Sequence, residues 1–180
     1  MFKLIDNFIT KEQCEDILNY SLTNLDLREA KIITENGAKF DNHRKSKIAF
    51  DRYEKFEFLN KKIMNFVLDD ISINGYKIEF TDKGYQFTTY KPGEYYNWHN
   101  DSSDQRYYSV VIQLNDDYIG GTLELVTENK VVELKNGTGN GLIFLSEMNH
   151  RVTEVIKGVR YSLVCWLKLI PIENHKKSII

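Results

Sequence analysis

Two histidines, an aspartate and an arginine carry most of the chemistry legible in this chain. In His99-Asn100-Asp101 an extended backbone projects side chains i and i+2 from one face, so an imidazole and a carboxylate can be aimed at a single point. His150 can bring a third donor to that point, from the turn between a strand ending at Leu145 and one beginning at Arg151. Two imidazoles and one carboxylate on one face of a metal ion leave three of its positions open. Arg160 follows His150 by ten residues and opens the last long apolar run, where the period of two sets it on the same face as Ser162. A guanidinium is a planar fork that matches a carboxylate, and a neighbouring hydroxyl can add one more hydrogen bond. Taken singly these features are ordinary: His-x-Asp recurs by chance, and an arginine at a strand start reads equally as a salt bridge. Their order and spacing together point to a metal beside a carboxylate-binding cation.

The elements that must position them change character along the chain. Thr10 and Gln13 form a capping-box pattern ahead of Cys14, Ile17, Leu18, Ser21 and Leu22 at helical spacing, and Phe56, Leu59, Ile63, Phe66 and Val67 form a second, stronger stripe. Both are read as packing helices. Between them lie a turn at Asn36-Gly37 and a basic segment, Asn42 to Lys47, read as a solvated loop or as a lid over a site. From Tyr76 onward short β-rich runs alternate with turn signals. The expected strands are Tyr76–Phe80, Tyr85–Tyr90, Tyr107–Leu114, Thr122–Val126, Lys130–Leu134, Gly141–Leu145, Arg151–Val155 and Arg160–Leu169. Asp82-Lys83-Gly84, Lys91-Pro92-Gly93, Gly120-Gly121 and Lys157-Gly158 are among the breaks. This spacing fits a sandwich, barrel or jelly roll. The expectation is a single domain over residues 1–180, mainly β with flanking helices (α+β), in which a helical N-terminal region, residues 1–75, packs on a β core, residues 76–170.

Composition excludes several other classes. A chain of 180 residues, 42% hydrophobic and 13% aromatic, can bury a core without disulfide or structural-metal staples. With 24 basic and 26 acidic residues there is no global field to attract nucleic acid. Cys14 and Cys165 stand isolated, which favours a reducing compartment. The start of the chain lacks a secretion pattern, and no run approaches the ~18 apolar residues a membrane helix needs. A cytoplasmic protein is expected, with no nucleic-acid or membrane partner and an oligomeric state the sequence leaves open.

In these motifs the chain resembles the Fe(II)- and 2-oxoglutarate-dependent dioxygenases, in their prolyl 4-hydroxylase-like branch. The resemblance covers roughly Tyr85 to Leu167. It rests on Tyr90-Lys91-Pro92-Gly93, Trp98-His99-Asn100-Asp101, Gly120-Gly121-Thr122-Leu123, Phe144 through His150, and Gly158-Val159-Arg160-Tyr161-Ser162. A weaker match is Arg44-x-Ser46-x-Ile48-x-Phe50. It implies a double-stranded β-helix (jelly-roll, cupin-like) core with Fe(II) at its mouth, held by His99, Asp101 and His150. It also implies that Arg160 binds the distal carboxylate of 2-oxoglutarate, helped by Tyr90 and Ser162. Certain relatives carry a co-substrate tyrosine where this chain has Gln113, so that contact is in doubt. The implied reaction couples oxidative decarboxylation of 2-oxoglutarate by O2, giving succinate and CO2, to hydroxylation of an unactivated C–H bond. Asp101 favours hydroxylation over halogenation.

For the substrate, a prolyl or other peptidyl residue leads, and a free amino acid or small metabolite is the alternative. Asn97 shares the ligand face by parity and is a candidate contact with Tyr95, Arg44 and Trp166, whereas Tyr96 and Trp98 should face away. The stretch from Ser102 to Arg106, with Ser103 and Asp104, is a further candidate. His43 is a possible lid residue, and His175 in the basic tail is given no role. Two other classes stay open: a cupin-like metal hydrolase or isomerase, which would not need Arg160 and Ser162, and a non-catalytic β-barrel binding module.

Overall fold

The computed structural model describes residues 2–34, 37–39, 42–70, 75–102, 105–128, 130–134 and 137–172. The readings made at Asn36, Ser103, Asp104 and His175 lie outside the described residues. In chain order the elements are β1 (Phe2–Ile5), α1 (Lys11–Asn24), β2 (Arg28–Glu29), β3 (Ile32–Thr34), β4 (Gly37–Lys39), β5 (Arg44–Lys45), β6 (Lys47–Asp51) and α2 (Glu57–Asp70). They continue with β7 (Tyr76–Tyr90), β8 (Tyr95–His99), β9 (Tyr108–Gln113), β10 (Ile119–Gly120), β11 (Leu123–Val126), β12 (Val131–Glu133), β13 (Gly141–Leu145), β14 (His150–Val152), β15 (Val155–Lys157) and β16 (Arg160–Pro171).

Two sheets make the core of a jelly roll. The major sheet runs β1-β13-β9-β16-β7-β6-β2 and the minor one β12-β11-β14-β8-β5. Alternation along the central strands divides the apolar side chains between two cores. Leu163, Cys165 and Leu167 of β16, with Val110 and Ile112 of β9, belong to the cluster that holds Cys14 and Ile17 of α1 and Leu59 and Ile63 of α2. Val111, Leu123, Leu125, Phe144 and Val152 form a second cluster shared between the major and minor sheets. Arg160, Ser162 and Trp166 leave β16 on the face opposite the helices, toward the inter-sheet space. The α1 start has the anticipated reciprocal cap, with Gln13 N–H donating to Thr10 Oγ1 at 3.1 Å and Thr10 N–H to Gln13 Oε1 at 3.0 Å.

Two departures from the sequence reading shape the major sheet. The first third is not only helical: β1 pairs with β13 and β6 with β7, so it supplies strands to the major sheet. These segments are short and irregular in pattern, and it is pairing with distant strands that makes them extended. The Asp82-Lys83-Gly84 signal is no turn either. It lies inside the single strand β7, where Phe80 pairs with Leu167 and Tyr85 with Cys165, leaving residues 81–84 opposite Trp166 alone. The turn-forming residues make a bulge.

Candidate active site

His99 ends β8 and His150 begins β14, and the two are register partners, so the sheet itself holds their rings 4.1 Å apart. The segment after His99 is fixed by Asp101 N–H donating to Ser146 O at 2.7 Å. His99 Nδ1 is 2.7 Å from Asn97 O and His150 Nδ1 is 3.0 Å from Met148 O. A carbonyl can only accept, so both Nδ1 atoms carry a proton, and in the neutral ring Nε2 is then the atom with the lone pair. Those lone pairs face the Asp101 carboxylate, at 3.9 Å from His99 Nε2 to Oδ1 and 3.7 Å from His150 Nε2 to Oδ2. These separations are too long for hydrogen bonds. The three donor atoms lie within 4.8 Å of one another and could hold a metal ion.

Burial pushes the His99 imidazole down to about 3, with His150 adding to the effect, so it is neutral as a ligand must be. Burial alone would raise the Asp101 carboxyl. The positive charge that the facing imidazoles carry when protonated, together with hydrogen bonds from Trp166 and Ser109, outweighs it and holds Asp101 below the usual carboxylate range. Both bonds fall on Oδ2, from Ser109 Oγ at 2.8 Å and from Trp166 Nε1 at 3.0 Å. Ser109 Oγ is also 3.0 Å from Ser146 Oγ.

Arg160 is only 1% exposed. Its Nη1 donates to Ser162 Oγ at 3.0 Å and its guanidinium lies 5.4 Å from the Tyr90 ring. Among the described residues its Nε has no hydrogen-bond partner, and the buried hydroxyl of Tyr118 lies against the guanidinium. An unpaired buried cation is costly, so the chemistry of this pocket calls for an anion. Gly121, at φ +60°, keeps the pocket open, since a Cβ there would stand 2.8 Å from Val155 and 3.2 Å from Arg160 Cδ.

Tyr118 was missed by sequence reasoning. Gln113 stands where the resemblance expects a tyrosine, and its Nε2 instead donates to Asn115 O and Tyr161 O, both at 3.0 Å. Those bonds brace the loop that delivers Tyr118. The signal available was a tyrosine five residues downstream of the departure and close to Gly120-Gly121.

The candidate substrate residues fall out unevenly. A groove of about 2070 Å³ opens over the site, and Arg44, Tyr96 and Trp166 line it while Asn97 and Tyr95 do not. The parity argument is overturned by a bulge: His150 pairs with His99 but Val152 pairs with Tyr96, so three β8 steps match two in β14. Tyr96 therefore joins the ligand face and stacks on His99 at 3.4 Å. Asn97 is exposed and acts through its backbone, and Tyr95 donates its hydroxyl to Asn42 O at 2.7 Å. Arg44 belongs to β5, paired with β8, and its guanidinium lies 4.4 Å from the Tyr96 ring. Trp166 is buried with its N–H on Asp101, which makes it a support for the carboxylate.

A model of the 2OG-Fe(II) oxygenase superfamily matches residues 85–168, the stretch that holds all of these groups except Arg44. The chain is 30% identical over 173 residues to a PKHD-type hydroxylase of Prochlorococcus marinus strain MIT 9215, covering 90% of this chain and 75% of that protein. It belongs to the 2OG-Fe(II) oxygenases. A second PKHD-type hydroxylase, from strain NATL2A, is 26% identical over 188 residues, covering 98% of this chain and 82% of the relative. In fold this oxygenase is similar to a prolyl hydroxylase from Trichoplax adhaerens solved with a hypoxia inducible factor peptide fragment. That likeness has a TM-score of 0.77 at 21% identity, with 93% of this chain and 83% of that one covered. A Pseudomonas putida prolyl-4-hydroxylase gives 0.72 at 20% identity, with 93% and 92% covered. As a member of its family the protein is a 2-oxoglutarate-dependent hydroxylase that uses Fe(II), 2-oxoglutarate and O2. No helix among the described residues is long and apolar enough to cross a membrane.

Proposed function

We propose that His99, Asp101 and His150 hold the Fe(II), that Arg160 with Ser162, Tyr90 and Tyr118 holds the distal carboxylate of 2-oxoglutarate, and that the hydroxylated substrate is a prolyl or other peptidyl residue. The observation that carries this reading is one pocket with two complementary needs: three convergent nitrogen and oxygen donors, and a buried guanidinium with no counter-ion among the described residues. When bound, the iron supplies the oxidising chemistry. The chain orients, anchors and excludes water. The carbonyls of Asn97 and Met148 keep both imidazoles in the tautomer that offers Nε2. Ser109 and Trp166 occupy Asp101 Oδ2, leaving Oδ1 as the less encumbered donor.

The peptidyl class is supported by size and by kinship. A groove of about 2070 Å³ exceeds the roughly 300–1,000 Å³ typical of small-molecule sites. The similar solved structures are prolyl hydroxylases, one of them with a peptide fragment. We further read residues 1–180 as one catalytic unit, because β1 and β6 pair into the sheet that carries Arg160. Two buried free thiols, Cys14 and Cys165, suit the cytoplasm.

The test is an anaerobic titration with Fe(II) and 2-oxoglutarate, followed by a succinate assay over prolyl peptides and free amino acids. Arg160→Ala should lose 2-oxoglutarate affinity by about 100-fold or more while retaining metal, since a charged hydrogen-bonded anchor is removed. His99→Ala should lose the metal. Equal losses of both affinities in Arg160→Ala would overturn the assignment of roles.

A further inference from the structure

We infer that the substrate segment is acidic, its carboxylates lying along a cationic trough that runs from the metal site across β7 and β6 to β2. This rests on the peptidyl reading above and narrows it. The whole chain is slightly acidic, with 24 basic and 26 acidic residues, yet its groove is not. Among the described residues, setting aside Arg160 and Asp101, six cationic side chains and two anionic ones line it. Asp26 and Arg28 neutralise each other at 2.9 Å, and the balance among the described lining residues stays cationic.

Arg44 and Arg106 form an inner pair, each held over an aromatic ring that itself touches a candidate ligand. Arg44 lies 4.4 Å from Tyr96, which stacks on His99, and Arg106 lies 3.8 Å from Trp166, which bonds Asp101. Cation–π stacking fixes a guanidinium flat, the posture in which its edge meets an anion. Lys31, Lys83 and Arg28 also line the groove.

Sheet register shows how far the trough reaches. Ser162 pairs with Thr88, Thr88 with Ile48 and Ile48 with Arg28, so one face is continuous over four strands. Three steps of about 4.8 Å make roughly 14 Å, the length of about four extended residues. On the same face the ring of Phe50 is 47% exposed, an apolar step between the cations that line the trough. Acidic residues within about four positions of the reacting residue would therefore meet the cations, with an apolar side chain between them over Phe50.

The experiment measures binding of dye-labelled peptides about nine residues long, proline-centred, with aspartate/glutamate, serine/glycine or lysine flanks, to protein holding Mn(II) and 2-oxoglutarate. The acidic peptide should bind about tenfold tighter than the neutral one at low salt, with the advantage shrinking as ionic strength rises. Lys31→Glu with Lys83→Glu should shrink or reverse the preference, and the salt series on the unaltered protein tests it without relying on that variant. Equal affinity for all three flanks would overturn the inference while leaving a peptide substrate intact. So would displacement of the acidic peptide by a single-stranded oligonucleotide at lower concentration than by polyglutamate. If no peptide binds and free amino acids drive succinate formation, the peptidyl reading itself fails and this inference with it.

Discussion

Trp166 shows how much a single side chain can hold in place. Its indole N–H and the Ser109 hydroxyl share Asp101 Oδ2, and they come from strands far apart in the chain. Trp166→Phe keeps the ring under Arg106 but removes the donor. Loss of such a supporting hydrogen bond should weaken metal binding by about 10- to 100-fold, read by Mn(II) or Co(II) titration, with little change in thermal midpoint. Restoration by no conservative aromatic residue, with Ser109→Ala acting in the same direction, would mark the effect as one of orientation. At this scale the geometry of the candidate site was largely legible: His99, Asp101 and His150, singled out by residue type and spacing, converge in the structure, and Arg160 lines the same groove. Tyr118 and the role of Trp166 were not, because each depends on a contact made only after remote strands pair.

Bulges decide what local pattern could not. Alternation along β8 assigns Asn97 to the ligand face, and the offset between His99–His150 and Tyr96–Val152 gives that place to Tyr96. In β7 the turn residues 81–84 are absorbed opposite Trp166. Gly84 in that bulge has φ +69°, and a Cβ there would stand 2.7 Å from Asp51 O on the neighbouring β6. Gly84→Ala should destabilise the fold by about 1–3 kcal/mol in chemical denaturation, through left-handed backbone strain and the displaced strand. The helices and most β strands were readable because their apolar period is strong. β1, β2, β5 and β6 were not, being two to five residues long and extended only by virtue of their partners.

For the molecule as a whole, the proposed metal site makes the metal-free protein acid-sensitive. His99 is held far below its unfolded pKa of about 6.5, so between that value and about 3 the unfolded chain binds the extra proton. Asp101, also held low, contributes stability above its unfolded pKa that is lost as pH falls through its folded one. Both act in the same direction. Thermal midpoints of metal-free protein should fall steadily from pH 6.5 downward, and His99→Gln, which does not titrate, should flatten the upper portion of that decline. Added metal should raise the midpoint in a concentration-dependent way, because it binds the folded chain.

The chain's two tryptophans are Trp98 and Trp166, one adjoining His99 under the guanidinium of Arg151 at 4.7 Å, the other bonded to Asp101. The protein thus carries its own optical reporter: its entire indole emission comes from one residue adjoining a candidate ligand in sequence and one bonded to another candidate ligand. Titrating Co(II) into the metal-free protein should quench that emission in step with calorimetric binding, and Trp166→Phe should leave a weaker signal from Trp98 alone. Emission unchanged by a metal that calorimetry shows to be bound would mean the ion sits elsewhere.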